Sequence, residues 1–158
     1  MIRFFFPLFF LLLLSAPAWA LSGRVVGIAD GDTITVLTSD KQRIKIRLYG
    51  IDCPEKKQAY GDRARDFTGA AVFGRDVRVE VLGRDRYGRT LGIVTGPDGR
   101  ILNRELLVNG LAWVYARYCK RPECVRWHDD EAEARSARRG LWRHKNPLPP
   151  WEWRKARH

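Results

Sequence analysis

The sequence predicts an α+β protein that is mainly β, with a five-stranded barrel and about three helices. Two observations support this prediction. Five short segments between residues 23 and 95 have β-branched or alternating apolar residues, and turn-forming residues separate most of them. Helical patterns lie in one gap between these segments and after the last of them. The 158 residues are enough for one domain with a core of its own.

The first three predicted strands form a meander. Residues 23–29 have the β-branched composition of a strand, DGDT at 30–33 is a turn by composition, and residues 33–39 resume the strand. Residues 40–51 then alternate between two faces. The apolar face carries Ile44, Ile46 and Leu48, and the basic face carries Lys41, Arg43, Lys45 and Arg47. We therefore expect a half-buried third strand with a basic outer face.

A helix and two further strands follow the meander. Residues 60–73 have apolar side chains at helical spacing, and Gly74 favours a helix stop. Residues 76–82 alternate again, and residues 90–95 form another strand after a turn. Five strands with short connections suit a small closed barrel such as the OB fold, with helices covering an open end.

The sequence after the fifth strand is expected to be largely helical. Asn103 and Gly110 are expected to bound a short helix as its N-cap and its C-terminal stop. Residues 111–115 are apolar and predict either a strand or a buried link. A charged helix is expected to begin at Pro122 and to end at Gly140.

Both ends of the chain differ in composition from the predicted domain at 21–146. Residues 1–20 have a basic start, an apolar run and an Ala-Trp-Ala site, which are typical of a secretory signal peptide cleaved after Ala20. The run is short for a membrane span, and an uncleaved anchor is the alternative. Residues 147–158 form a basic tail rich in Pro and Trp. This tail either packs through its tryptophans, the reading we favour, or contacts nucleic acid or a partner.

Charge and cysteines indicate the class of partner and the compartment. The net charge of +11 falls only to +10 without residues 1–20, which favours nucleic acid, anionic lipid or acidic polysaccharide as a partner. Export implies an oxidising compartment, where Cys119 and Cys124, separated by a short loop with a proline, are expected to form a disulfide. Cys53 then stays unpaired. Three cysteines without paired spacing make a poor zinc site.

Catalysis by this chain would have to rest on carboxylates and guanidiniums. The three histidines lie late in the sequence, at His128, His144 and His158. None is near an acidic turn, which argues against a Ser-His-Asp triad or a His-rich metal site. Acidic residues cluster instead at two strand ends, at Asp30, Asp32, Asp52 and Glu55. In a meander these ends meet, and their oxygen ligands suit calcium or magnesium, although DGD alone is also compatible with a plain turn.

Two arginines accompany this acidic cluster. Arg47 lies five residues before Asp52, so strict alternation would place the two side chains on opposite faces of the sheet. A bulge at Gly50 would break the alternation and bring both to one site. Arg89 offers a second guanidinium, and arginine is well shaped to bind phosphate oxygens in pairs. The alternative interpretation of each arginine is a solvated surface charge with no role in a site.

Five segments occur together in one order: DGDT, RLYGIDCPE, DRYGR, NRELLVNGLAWVY and EAEARSARRGLW. In these motifs and their spacing, residues 23 to 143 resemble the staphylococcal nuclease (thermonuclease) family. The resemblance implies an OB-type five-stranded barrel with three helices. It also implies an enzyme that cleaves single- and double-stranded DNA and RNA on the 5′-oxygen side and leaves 3′-phosphates. Calcium is the implied cofactor, nucleic acids are the partners, and we expect a monomer without a stable protein partner.

The resemblance also implies roles for individual residues. The calcium ligands would be Asp32, Asp52 and the backbone carbonyl of Cys53, with Asp30 near the metal. Arg47 and Arg89 would clamp phosphate, and Glu55 would take the proton of water or position it. Substrate contacts are expected from Lys45, Arg86, Tyr87 and Tyr115.

The chain departs from the staphylococcal enzyme at three points. The loop KKQAYG after Glu55 is shorter, which affects substrate entry, and Cys53 replaces a Thr of which only the carbonyl is needed. The match at Tyr115 is loose. The alternatives are a non-catalytic nucleic-acid-binding OB-fold module and a membrane-anchored DNA-handling protein. Because the acidic and arginine positions are all filled, the sequence predicts a secreted or periplasmic nuclease.

Overall fold

Five strands close into a barrel in the computed structural model, which describes residues 20–157. The expected signal peptide therefore lies outside the described residues, except for Ala20. The strands are β1 Ala20–Asp30, β2 Thr33–Leu37, β3 Arg43–Leu48, β4 Ile51–Asp52, β5 Asp76–Arg84, β6 Thr90–Thr95 and β7 Trp113–Val114. The barrel order is β1-β2-β3-β6-β5, and β5 pairs with β1 to close it. Strands β3 and β6 run parallel and the other barrel pairs are antiparallel. The predicted five-stranded barrel is thus confirmed.

The barrel core follows from the alternation in the sequence. Inward-facing side chains on all five strands are fully or almost fully buried, namely Val25, Ile34, Val36, Ile46, Val79 and Val94. Their neighbours along the strands, such as Lys45 and Arg78, face solvent. Each large apolar side chain that is fully buried contributes about 1.5–3 kcal/mol of transfer free energy, so this inner face stabilises the closed barrel.

Helices connect some of the strands and follow the last one. They are α1 Gly61–Val72, α2 Leu102–Val108, α3 Glu123–Ser136 and α4 Pro150–Lys155, with a 3-10 helix at Gly140–Arg143. The first three correspond to the predicted helices. Helix α4 was not predicted, because its proline-rich start reads as a break. Pro150 stands at the first helical position, where its missing N–H costs no helical hydrogen bond. None of the described helices is long and apolar enough to cross a membrane.

Asn103 differs from its predicted role as an N-cap. Helix α2 begins at Leu102 with Ile101 as its N-cap, and the Asn103 side chain is fully buried. Its Oδ1 accepts the N–H of Val94 at 3.0 Å, and its Nδ2 donates to the carbonyls of Tyr49 at 3.0 Å and Gly92 at 3.3 Å. A buried amide requires such partners, and here it ties α2 to β6 and to the end of β3.

Gly50 ends β3 with a turn, and no bulge is needed. Its φ is +72°, and a Cβ there would lie 2.6 Å from the Cys119 sulfur and 2.9 Å from Trp127. Only glycine fits such a close approach in the left-handed region. The turn redirects the chain into β4, which pairs with β7, so residues 111–115 contain a short strand. This turn takes Asp52 out of the alternation of β3.

The predicted disulfide between Cys119 and Cys124 is present, with the two Cα atoms 5.7 Å apart. It closes a short loop just before and into α3 and lies against Gly50. Cys53 is free and buried, as expected. Burial raises the pKa of the Cys53 thiol well above its usual range, so the thiol stays protonated and unreactive.

Candidate active site

Arg47 lies between two buried aspartates. Its Nη1 is 3.0 Å from Asp32 Oδ2, and its Nη2 donates to Asp52 Oδ1 at 2.8 Å. Nη1 also donates to the carbonyl of Leu48 at 3.1 Å. The side chain is only 13% exposed. One guanidinium therefore holds two carboxylates that the sequence places 20 residues apart.

The turn between β1 and β2 fixes the position of Asp32. The carboxylate oxygen Oδ1 of Asp30 accepts the N–H of Asp32 at 3.1 Å, as in an Asx turn. A Cβ at Gly31 would come within 2.7 Å of Ala64 on α1, and the carbonyl of Gly31 accepts the hydroxyl of Thr68 at 2.6 Å. Asp32 Oδ2 in turn accepts the N–H of Cys53 at 2.6 Å. DGD is thus a turn locked between α1 and the segment after β3.

Burial leaves these carboxylates poorly suited to carrying negative charge. Burial raises the pKa of Asp32 to about 8, against the opposing attraction of Arg47. Burial also raises the pKa of Asp52 above its ordinary value, although Arg154 and Arg47 work in the opposite direction. Desolvation disfavours the charged form of both aspartates. A bound cation would therefore stabilise their ionised form and lower both pKa values.

Glu55 and Asp52 share a second guanidinium, that of Arg154 on α4. Its Nη1 donates to Glu55 Oε1 at 2.6 Å, and its Nη2 donates to Asp52 Oδ2 at 2.8 Å. Arg154 was not predicted as a site residue. It lies about 100 positions from both carboxylates, in a basic tail whose two arginines and one lysine carry no distinguishing motif. The one local signal is Pro150, since proline is also compatible with the first position of a helix.

Arg89 reaches the same region from the turn before β6. Its Nε donates to Asp85 Oδ2 at 2.6 Å, and its Nη1 is 3.4 Å from the Thr33 hydroxyl. That hydroxyl is 3.3 Å from Asp32 Oδ1, so Thr33 links Arg89 to the aspartates. Burial opposes the shift, but hydrogen bonds from Arg89 and from the N–H of Tyr87 together lower the pKa of Asp85 below its usual value.

The expected substrate residues lie around this cluster. Tyr87 is 68% exposed, and its hydroxyl accepts from Arg86 Nη2 at 2.6 Å, while the Arg89 guanidinium lies 5.5 Å from the ring centre. Lys45 is exposed on β3, two residues before Arg47. Tyr115 stacks on Trp151 of α4, with ring centres 5.1 Å apart.

The donors available to a metal ion are oxygens. Among residues 20–157, no three or more His, Cys, Asp and Glu side chains form a metal-binding group. The side chains of Asp32 and Asp52 meet through Arg47, so a cation there would need backbone carbonyl and water ligands as well. A donor set of carboxylates, carbonyls and water, with buried carboxylates in excess, fits calcium or magnesium.

Comparisons with known proteins show the family of the chain. Residues 45–144 match the family model described as staphylococcal nuclease homologue. A micrococcal nuclease from Shigella flexneri is 44% identical over 154 residues, which span 92% of this chain and 87% of that protein. An uncharacterized endonuclease from Escherichia coli O157:H7 is 47% identical over 132 residues, 84% of each chain. Protein ParB of Escherichia coli is 44% identical over 155 residues, 91% of this chain and 85% of the relative.

Proposed function

The chain belongs to the staphylococcal nuclease family, and from that premise we propose that it is a calcium-dependent, sugar-non-specific endonuclease. It would hydrolyse phosphodiester bonds of DNA and RNA on the 5′-oxygen side and leave 3′-phosphates. The observation that carries the proposal is Arg47, which is held between Asp32 and Asp52, and Asp52 shares a second guanidinium with Glu55. The alternative interpretations, DGD as a plain turn and Arg47 as a solvated surface charge, do not account for this buried ion-pair arrangement.

Arg47 and Arg89 are the proposed phosphate clamp. Arg47 is oriented by Asp32 and Asp52, and Arg89 is oriented by Asp85. Among residues 20–157, Nη2 of Arg89 has no hydrogen-bond partner, which leaves it free to donate to a phosphate oxygen. Donors that are already oriented stabilise the charge of a five-coordinate phosphorus without reorganising, and the loss of one such donor typically costs about 10²–10³-fold in rate.

Glu55 is the proposed partner of the attacking water. Its side chain is 40% exposed, so water can reach the carboxylate. It would take the proton of that water or hold it in line for attack on phosphorus. The backbone N–H of Glu55 donates to Gln58 Oε1 at 3.1 Å, which fixes the loop from which the carboxylate projects.

Asp32, Asp52 and the carbonyl of Cys53 would hold calcium, with Asp30 nearby. When bound, the ion supplies Lewis-acid stabilisation of the phosphoryl oxygen and a positive charge opposite the buried carboxylates. The burial of both aspartates supports this assignment, because it disfavours their charged form and a bound cation would offset that cost.

Substrate binding would be mainly electrostatic. The exposed Lys45, the Arg86–Tyr87 pair and the excess of basic residues favour the phosphate backbone over any base sequence. Tyr115 would contribute from the far side, beside Trp151. We expect a monomer without a stable protein partner. The disulfide is consistent with a periplasmic or extracellular location, where such bonds persist.

A nuclease assay with the purified protein tests the proposal. Single- and double-stranded DNA and RNA are incubated with calcium, with magnesium and with chelator, and products are analysed for the position of the phosphate. We expect all substrates to be degraded with calcium, activity to be lost with chelator, and 3′-phosphate ends. Undiminished cleavage in chelator would refute the metal assignment. Nucleic-acid binding without cleavage would favour the non-catalytic OB-fold module. Detection of an intact Met1 by mass spectrometry would favour the membrane-anchored alternative.

A further inference from the structure

The C-terminal helix α4 brings a third arginine to the carboxylates of the candidate active site. We propose that Arg154 is a positioning residue for hydrolysis, which holds the carboxylate of Glu55 in place for the attacking water. This inference rests on the proposed nuclease function. It makes the tail at 147–158 part of the candidate active site. The sequence alone left packing and contact with nucleic acid or a partner as alternatives for this tail.

The geometry of Arg154 is that of a clamp on two carboxylates. Its Nη1 lies 2.6 Å from Glu55 Oε1 and 3.4 Å from Asp52 Oδ1, and its Nη2 lies 2.8 Å from Asp52 Oδ2. Among residues 20–157, the Glu55 carboxylate has no other hydrogen-bond partner. A half-exposed glutamate on a loop samples several rotamers, and this contact selects one of them.

The tail is held next to the Glu55 loop at two further points. Trp151 stacks on Tyr115 with ring planes 7° apart, one helical turn before Arg154. The buried Gln58 accepts the N–H of Glu55 through Oε1 and donates from Nε2 to the carbonyl of Leu148. Gln58 therefore joins the loop that carries Glu55 to the segment that leads into α4. These contacts hold α4, and with it Arg154, in place beside the Glu55 loop.

The charges of the cluster also favour a second cationic side chain beside Arg47. Four acidic side chains lie there, at Asp30, Asp32, Asp52 and Glu55, and Arg47 alone would leave the ionised cluster with a charge of −3. Arg154 brings the cluster to −2, which one divalent ion balances. Arg89 is paired with Asp85 and does not enter this sum. Without Arg154 the loaded site would keep an unbalanced negative charge, and Glu55 would be repelled by Asp52.

Arg154 acts through Glu55 because it cannot itself accept the proton of water. A guanidinium keeps its charge at all working pH values. Its contribution is therefore to orient Glu55 and to hold it near Asp52 against their mutual repulsion. This predicts an effect on kcat with little effect on substrate binding. A direct phosphate contact would instead raise KM, and an inhibitory contact would raise kcat on removal.

The test compares Arg154→Met, which keeps the length of the side chain, with Arg154→Lys and with the control Arg157→Met. The exposed Arg157 belongs to the same tail and touches none of the four carboxylates, so its variant loses the same positive charge. Steady-state cleavage of single-stranded DNA with calcium should show a loss in kcat of about 10–100-fold for Arg154→Met relative to Arg157→Met. KM should agree within about twofold, and Arg154→Lys should recover part of the loss.

Three further measurements separate positioning from other roles. In a Glu55→Gln background, Arg154→Met should cause no additional loss in kcat, because the two residues act as a unit. In chelator, oligonucleotide affinity measured by fluorescence anisotropy should be equal for Arg154→Met and Arg157→Met. The indole N–H signal of Trp151 in NMR spectra should keep its position in Arg154→Met, as expected for a docked tail.

Each other outcome refutes the inference in a recognisable way. Equal kcat for Arg154→Met and Arg157→Met, a higher kcat, or additivity with Glu55→Gln would exclude positioning of Glu55. A shifted Trp151 signal together with no rescue by lysine would assign the loss to packing. If the wild type and Arg157→Met both fail to cleave with calcium, the proposed function itself is wrong, and the role of Arg154 fails with it.

Discussion

Asp32→Asn should make the calcium-free protein more stable at neutral pH. The folded-state pKa of Asp32 is raised by burial from an ordinary value of 3.8 to about 8. A raised pKa contributes stability that is fully present below the unfolded value and is lost as pH rises through the folded value. In the absence of calcium, the wild type therefore loses stability between these two values. Asparagine is never ionised and does not contribute this loss.

The magnitude follows from the linkage between proton binding and folding. One pH unit in this window corresponds to about 1.4 kcal/mol, so the change from about pH 5 to about pH 7 costs the wild type about 3 kcal/mol. The substitution is nearly isosteric. Asparagine Oδ1 can accept the N–H of Cys53 and the contact from Arg47, and its Nδ2 can donate to the Thr33 hydroxyl. The advantage of Asp32→Asn should thus grow by about 3 kcal/mol over this range.

Urea unfolding followed by tryptophan fluorescence, in chelator and at several pH values, measures this difference. A difference in the free energy of unfolding between variant and wild type that does not change with pH would refute the argument. A variant that is less stable than the wild type at neutral pH would also refute it. Saturating calcium should reverse the order, because Asp32→Asn loses a proposed ligand. A ligand at 100 times its Kd stabilises the protein that binds it by about 2.7 kcal/mol.

Asp130 provides a control of opposite sign. Burial opposes the shift, but hydrogen bonds from Arg104 and Arg126 lower the pKa of Asp130 below its ordinary value. Its contribution to stability is present above the unfolded pKa and is lost as pH falls through the folded pKa. Asp130→Asn should therefore destabilise the protein at neutral pH by about 2 kcal/mol, and this gap should narrow in acid.

Three further predictions concern single features of the chain. Glu55→Gln and Arg89→Ala should each lower the rate of DNA cleavage by about 10²-fold or more while circular dichroism stays native, and near-normal rates would show that their roles are misassigned. The oxidised protein should be about two mass units lighter than the reduced protein if Cys119 and Cys124 are bonded, and equal masses would contradict the disulfide. Asn103→Ala should lower the free energy of unfolding by about 1–3 kcal/mol in urea, because it leaves the N–H of Val94 buried without an acceptor, and an unchanged unfolding midpoint would contradict this account.

Local patterns were sufficient to predict the barrel. Alternation identified the third strand, and its inward residue Ile46 and outward residue Lys45 lie as expected. Turn composition placed Asp32 at a strand end. The turn at Gly50 was read as a bulge, because the sulfur of Cys119 and the ring of Trp127 that crowd it come from distant parts of the chain.

Residues that act over long distances in the sequence were harder to recognise. Asn103 has the residue type of an N-cap, and only the three-dimensional packing shows that its amide binds Val94, Tyr49 and Gly92. Arg154 is one of 29 basic residues and carries no motif. Its partners, Glu55 and Asp52, are evident only from the structure, in which α4 docks beside the Glu55 loop. No local pattern encodes a pairing across about 100 residues.

The parallel pairing of β3 with β6 has a consequence for folding kinetics. Strand β3 carries Arg47, and Arg89 immediately precedes β6. The two arginines of the proposed phosphate clamp therefore come together only when these distant strands pair. Non-local strand pairing is slow compared with helix or hairpin formation, because the loop between the strands must close first. During refolding, enzymatic activity should therefore return with barrel closure, after most of the helical signal has recovered.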